Sequence, residues 1–400
     1  MFDLLEEVFV LSRIVVILLA LVCPVAALAD EAVNVSTEPD SSAASARDSL
    51  DPLVEDSVGV PLRIRNFTFP SFVLLGFAPM PATPLGKGRW AVELHFSEVN
   101  DFQASPAVED YLESSRLPGE RRPLDATDVA AILALPEGES FYIDGEFSFA
   151  DFVFHYGVTD RLDIGLGFRY IGYTGGYLDG SIFDFHDEFG FGQQGRQFVA
   201  DDQFQVVIGS RSLDPVVLLD NQDDSGPGDP SLLFRYFLGE LGEWQFSLSG
   251  GVKVPIADED GFFSTGSWDF GGQLNFHRRW NRNALIANLG AVFPGKFEQT
   301  GFEPPTLPSF QLSWLHRFGR RAWAPTGSLQ FLVAEHPFRD LIDSDLTDLE
   351  IQLTAGLKWR TRAGVFGVGL TENLFNYDNT PDIGLHVTWG YLSRNRLGGG

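Results

Sequence analysis

Residues Phe152 to Tyr170 read FVFHYGVTDRLDIGLGFRY. Phe152, Phe154, Tyr156 and Val158 alternate with Val153, His155 and Gly157, and Thr159, Asp160 and Arg161 then break the run. Leu162, Ile164, Leu166, Phe168 and Tyr170 resume it against Asp163, Gly165, Gly167 and Arg169. A period of two on both sides of a polar break is strand, turn and strand, in a sheet with one apolar and one polar face. Residues opposed on one face must have numbers that sum to an even value, which excludes a two-residue turn closing Val158 on Arg161. A three-residue turn, Thr159 to Arg161, pairs Val158 with Leu162, Tyr156 with Ile164, Phe154 with Leu166 and Phe152 with Phe168. It also sets Asp151 opposite Arg169 on the polar face, an expected ion pair.

The same alternation recurs to the end of the chain. Trp90, Val92, Leu94 and Phe96 form one apolar face; Leu232 to Leu238, Trp244 to Val254 and Trp268 to Phe276 supply others, followed by a weaker run at Leu285, Leu289 and Phe293. Phe310 to Trp314, Leu329 to Val333, Leu349 to Trp359, Phe366 to Leu370 and Ile383 to Tyr391 complete the series. Many of these runs reach the roughly 9 to 11 residues with which a tilted strand crosses a bilayer. Connections alternate between short turns, near Asp160, Gly242, Asn281, Arg320 and Thr361, and long polar segments. Trp90, Trp244, Trp268, Trp359, Trp389 and Tyr391 stand at strand ends, where an interfacial aromatic girdle lies. Phe204 to Ile208 also reads as a strand, but counting it leaves a long loop and a short turn on the same side, so it is assigned to a long outer loop. The fold class expected is all-β: a transmembrane antiparallel up-and-down β-barrel of about twelve strands, with short periplasmic turns and long extracellular loops, in the outer membrane of a Gram-negative bacterium. A secreted β-sandwich also alternates, but strand length, loop asymmetry and the girdle favour the barrel. With Phe152 facing lipid, Phe149, Phe147 and Ile143 fall on the opposite phase, which predicts a β-bulge near Ala150 or a strand that has left the membrane by that height.

Charge and the chain ends narrow the function. The 55 acidic side chains outnumber 28 basic ones, which argues against a nucleic-acid partner. Val8 to Ala29 is an apolar segment ending in Ala27-Leu28-Ala29, an export signal over residues 1–29 or, given its acidic start, an uncleaved anchor. The one cysteine of the sequence, Cys23, lies within it, so cleavage leaves no disulfide and no cysteine metal site. Residues 30–60 form an acidic tail too poor in apolar side chains to order itself. Residues 61–87, with the proline-broken stretch Asn66 to Pro81 (NFTFPSFVLLGFAPMP), are a plug, an interfacial piece or an extra strand; 88–392 are the barrel, and 393–400 a short tail. The partners expected are outer-membrane lipid and the export and barrel-assembly machinery.

The run GGYLDGSIFDFHDEFGFGQQGR, Gly175 to Arg196, resembles a family of uncharacterised Gram-negative outer-membrane proteins, domain of unknown function 3187. RIRNFTFPSF (Arg63 to Phe72), YIDGEFSF (Tyr142 to Phe149), YGVTDRLDIGLG (Tyr156 to Gly167) and GPGDPSLLFRYFL (Gly226 to Leu238) support the resemblance. It implies an exported barrel and brings no activity with it.

The Gly175 to Arg196 loop is the leading site candidate: Gly175 and Gly176 for unusual backbone angles, Asp179, Asp184, Asp187 and Glu188 for carboxylates, His186, and Arg196 to bind them. It reads as a loop that narrows a pore, as a cation site, or as a loop ordered by Asp turns and aromatic packing, the last being favoured because calcium loops space their ligands more tightly. The acidic runs at Asp220 to Asp229 and Asp258 to Gly261 lack that spacing too and read as solvated surface. His95 and His386 fall on inward faces near Ser97 and Thr388, but no G-x-S-x-G elbow accompanies them, so no enzyme, cofactor or metal is expected. Arg278, Arg279, Arg282, Arg317, Arg320, Arg321, Arg360 and Arg362 cluster at the short turns, where charge meets water. The functional expectation is a passive channel for small solutes; a non-transporting surface barrel acting through its acidic loops, and a barrel-embedded hydrolase, are the alternatives.

Overall fold

The computed structural model describes residues 60–136, 138–190, 192–209, 215–218, 224–259, 261–319, 324–340, 347–373 and 379–393. Residues 1–59, which hold the expected export signal and all but the last residue of the expected acidic tail, lie outside the described residues, as do Asp220, Arg320 and Arg321. The hairpin is built from β2 (Phe141–Gly157) and β3 (Leu162–Thr174), preceded by β1 (Trp90–Ala104). Phe152 stands opposite Phe168, Phe154 opposite Leu166 and Tyr156 opposite Ile164. The turn is three residues long: Val158 N donates to Leu162 O at 2.8 Å. The Thr159 hydroxyl locks it by accepting from the backbone N–H groups of Arg161 and Leu162 at 3.1 and 2.9 Å.

Further strands follow in antiparallel order: β7 (Ser231–Leu241), β8 (Trp244–Lys253), β9 (Asp269–Trp280), β10 (Asn283–Phe293), β11 (Leu307–Arg317), β12 (Thr326–Ala334), β13 (Glu350–Thr361), β14 (Gly364–Glu372) and β15 (Ile383–Leu392). β15 pairs back on β1, from Ala91 with Leu392 to Asn100 with Ile383, and the sheet closes into a barrel of twelve strands. Closure removes the edges that would leave backbone groups unpaired in lipid. The outer face carries the alternating apolar set: Leu232, Phe234, Tyr236, Leu248, Phe270, Leu289, Trp314 and Val387 are all exposed. At the short-turn end the Trp90 and Tyr391 rings lie 5.4 Å apart, as neighbours in the girdle.

Three short strands lie outside the twelve: β4 (Gln205–Ile208), β5 (Val216–Leu218) and β6 (Asp224–Pro227). Gln205 to Ile208 is thus a strand rather than loop; it pairs with Phe141 to Asp144, the outermost turns of β2, and β5 pairs on it in turn. α1 (Pro106–Ser115) and α2 (Ala126–Leu133) cover this end. The Ser105 hydroxyl caps α1, and Asp125 and Asp128 form a reciprocal cap on α2. Phe102, Leu112, Ile132, Tyr142 and Val207 close an apolar cluster beneath them.

No bulge interrupts β2 near Ala150. Its register with β3 runs unbroken from Gly157 with Asp163 to Glu146 with Thr174. Phe149 and Phe147 therefore stay on the inward face with Asp151 and His155, and they are 3% and 0% exposed. The aromatic phase changes because the surroundings of the inward face change, from polar near the short turns to apolar in the outer half. A register shift does occur in β7, between Phe237 and Gly239.

Depth on the lipid face sets the cost of a charge there. Leu289→Arg, near the middle of β10, should cost roughly 2–4 kcal/mol, and Tyr391→Arg at the interface no more than about 1 kcal/mol. The folded, heat-modifiable fraction after refolding into lipid vesicles would fall for Leu289→Arg and stay near that of the native chain for Tyr391→Arg.

Candidate functional site

Residues 60–85 run inside the barrel, up from the short-turn end and back down to it. On the ascending arm, Lys358 donates to the carbonyls of Val60 and Pro61. Arg63 pairs with Glu93, and Gln330 Nε2 donates to Ile64 O at 2.5 Å. Asn66 and Ser71 both donate to the Glu350 carboxylate at the outer end of β13. On the descending arm, Leu75 N donates to Asp269 Oδ2 at 2.8 Å and Gln311 Nε2 to Phe77 O at 2.7 Å. Asn288 grips Met80 from both sides, accepting from its N–H at 3.3 Å and donating to its carbonyl at 2.8 Å. Arg235 donates to Pro81 O, and Leu85 N to Asp163, before the chain turns into β1. The segment has no regular ladder beyond one 3-10 turn at Ser71–Val73, so lumenal side chains replace the partners a sheet would supply.

The apex sits in an aromatic core. The Phe72 ring centroid lies 5.1 Å from those of Phe147 and Phe149, Phe67 lies 4.8 Å from Phe149, and Phe69 stacks on Phe262 at 5.4 Å. Tyr173, Phe204 and Phe263 extend this cluster towards the outer loops. Asp151 and Arg169 meet here: Nε and Nη2 of Arg169 each donate to the carboxylate at 2.6 Å. The remaining Nη1 reaches Phe72 O at 3.0 Å, and the guanidinium lies over Phe149 at 4.9 Å. The pair therefore holds the apex as well as bridging the hairpin.

Gly175 to Arg196 holds a helix, α3 (Asp179–Phe189), ended by Gly190 at φ 76°. It comes off β3 at Gly176, φ 76°, where a Cβ would collide with the Glu146 carboxylate; that carboxylate accepts from Tyr177 N at 2.9 Å and from Leu178 N. Asp179 and Arg196 come together in the interior. Arg196 is 2% exposed, pairs with Asp179 and Asp382, donates to Asn100 at 3.2 Å and lies over the Phe102 ring at 4.4 Å. Asp184, Asp187 and Glu188 are on the exposed side of α3, away from that pair. His186 Nδ1 lies 3.0 Å from Gly192 O within the same loop. Among the described residues no three His, Cys, Asp or Glu side chains converge as metal ligands. His386 bonds the Ser97 hydroxyl through Nδ1 and the Thr371 hydroxyl through Nε2, both at 2.8 Å, and Phe67 stacks on it. Both nitrogens of His386 thus face hydroxyls, whereas in a Ser-His-Asp triad one of them faces a carboxylate.

The tethers of the threaded segment were not among the residues singled out from sequence. Their signal was present in the inward positions of β10 to β13, where Asn288, Gln311, Gln330 and Gln352 are side-chain amides. An amide both donates and accepts, which suits it to a neighbouring peptide group.

Strand pairing, lipid face and closure define an outer-membrane-type β-barrel. The chain belongs to the family described as protein of unknown function DUF3187, whose model matches residues 115–393. No curated protein matches it. Among solved structures it is similar to the COG4313 outer membrane channel from Pseudomonas putida F1, at 11% identity over 79% of this chain and 99% of that one, with a TM-score of 0.46. The Pseudomonas putida toluene transporter TodX shares 9% identity over 85% and 96% of the two chains, with a TM-score of 0.36.

Two loop contacts have measurable consequences. Arg196→Gln leaves Asp179 and Asp382 buried without their cation, at a cost of about 3–5 kcal/mol; limited proteolysis should then cut residues 175–205 of an otherwise folded barrel. In the outer cap, Asp128 is bound by Arg116 at 3.0 and 3.2 Å, by Arg122 and by Tyr111 at 2.8 Å. Burial raises the Asp128 pKa, but the two guanidiniums outweigh it and hold the carboxyl well below the usual range. A depressed pKa stabilises fully above the unfolded value of about 3.9 and is lost as pH falls through the folded one. Hydrogen exchange in α2 should be unchanged from pH 7 to 5 after correction for the intrinsic rate. It should accelerate below about pH 4, and Asp128→Asn should show the loosened behaviour at neutral pH.

Proposed function

We propose that this chain is an outer-membrane channel for small solutes, held shut in the state described by residues 60–85. The observation that carries the reading is the mismatch between the segment and the wall around it. Apart from the aromatic zone near the apex, the wall is lined by Ser247, Ser249, Gln273, Asn275, Gln311, Ser313, Thr354 and Thr388, a surface suited to water. A barrel meant to stay filled would be cheaper to fill with apolar side chains, because each buried polar group must be matched. Withdrawal of the segment would leave groups that water can satisfy. The barrel would lie in the outer membrane of a Gram-negative bacterium, with lipid on its apolar face, and reach it through the export and barrel-assembly machinery.

The aromatic apex favours a second reading, a permanently closed surface barrel that works through its outer cap. Planar-bilayer recording separates the two. The native chain should show at most brief, rare openings, and a chain lacking residues 61–85 should show sustained conductance steps. Phe69→Ala with Phe72→Ala, which weakens the apex by about 3–5 kcal/mol per ring, should raise the open fraction if the deletion hampers assembly. Variants that fold, by heat-modifiable mobility, and still pass no ions would sink the channel reading.

A further inference from the structure

Between the two arms of the threaded segment, at the short-turn end, the lumen opens into a cavity of about 560 Å³. Leu62 and Arg63 line it from the ascending arm, Pro84 and Leu85 from the descending arm, and the ends of β1 and β13 to β15 make the outer wall. Its size falls in the range that encloses a small organic molecule. Its charge runs against that of the chain: among the described residues seven Lys and Arg side chains line it and one carboxylate, Glu93, while the whole sequence carries a formal −27.

The inner cations are placed and not merely near. Arg63 sits at φ 62°, a left-handed conformation that an arginine rarely adopts, and its guanidinium lies in the lumen beside Glu93 and His155. Arg63 is 7% exposed, and among the described residues its Nε has no hydrogen-bond partner. Lys358 gives its protons to the carbonyls of Val60 and Pro61, which are neutral acceptors. Arg235 shares the roof and spends its charge on Asp163. Arg279, Arg360 and Arg362 stand nearer the mouth. A one-signed cleft with low-dielectric walls concentrates the field and draws in the opposite charge. Guanidinium forks match the two oxygens of a carboxylate or phosphate group.

We propose that this vestibule binds small organic anions: an oxyanion group among Arg63, Lys358 and the mouth arginines, and a compact apolar body against Leu62, Pro84, Leu85 and Val365. As an account of what the channel takes, the proposal rests on the channel reading; as a binding site, it stands without it. Because both arms of the segment line the cavity, an anion held there touches the two ends of the closure at once. A soluble anion and an anionic lipid headgroup share the recognised chemistry, and the enclosure between the arms favours the compact soluble solute.

Isothermal titration of the full chain in non-ionic detergent tests this, with benzoate as probe, benzylamine as its cationic counterpart and dihexanoyl phosphatidylglycerol for the lipid source. Benzoate should bind one to one and benzylamine should not. Arg279→Gln and Lys358→Met should each weaken benzoate by about tenfold or more, the loss of one charge-assisted bond. If Lys358→Met disturbs the arm it tethers, the native protein still decides, because benzoate binding should weaken as salt rises. No benzoate binding, equal binding of benzoate and benzylamine, or binding of the lipid without benzoate overturns the proposal. A barrel that binds benzoate but never conducts would sink the channel reading alone, and one that conducts without binding benzoate would sink this one alone.

Discussion

The constraint on which the rest of the structure depends is that a peptide without regular secondary structure must find partners for its backbone groups wherever it is buried. In a sheet the neighbouring strand supplies them. For residues 60–85 they come one at a time from the barrel wall, through Gln330, Gln311, Asn288, Arg169, Arg235, Lys253 and Lys358, each reaching a carbonyl of the segment. That requirement explains why inward positions that face water in an open barrel carry side-chain amides and cations here. It also explains why the arms stay apart, since each is bonded to the wall on its own side.

A hydrogen-bonded wall and an apolar apex make two kinds of attachment. The wall bonds can be exchanged for bonds to water at little net cost, about 0.5–1.5 kcal/mol each. Phe67, Phe69 and Phe72 against Phe147, Phe149 and Phe262 have no such exchange, because leaving the cluster exposes ring surface. The apex is therefore the stronger hold on the segment. Arg169 joins the two, with Asp151 on one side, a carbonyl on another and aromatic faces around it.

Much of this was legible in the residues. The hairpin register follows from parity alone, because a period of two admits one face assignment and an odd-length turn. The even strand count and the exclusion of Phe204 to Ile208 from the twelve follow from the alternation of short and long connections. The bulge expected near Ala150 is absent for a physical reason: alternation reports the contrast between two faces, and it inverts when the lumen itself becomes apolar. Phe147 and Phe149 looked out of phase because the segment they pack on lies some eighty residues earlier in the chain. The helical character of Asp179 to Phe189 was hidden by its aromatic and acidic content, which reads as loop without a neighbour to cover one face. The partners of Asp179 and Arg196 come from β1 and from the approach to β15, so no local pattern announces Asn100 or Asp382. Asp184, His186 and Asp187 share the stretch but not the buried pair.

The most direct test of the account is a disulfide between the segment and the wall, placed at Met80→Cys with Ser249→Cys, where the wall hydroxyl already donates to the Met80 sulfur at 3.3 Å. Oxidation should join them in the folded protein and, on the proposed channel reading, abolish conductance steps in a planar bilayer, and reduction should restore them. A folded barrel in which the two cysteines do not join, or whose openings persist while they are joined, would contradict it.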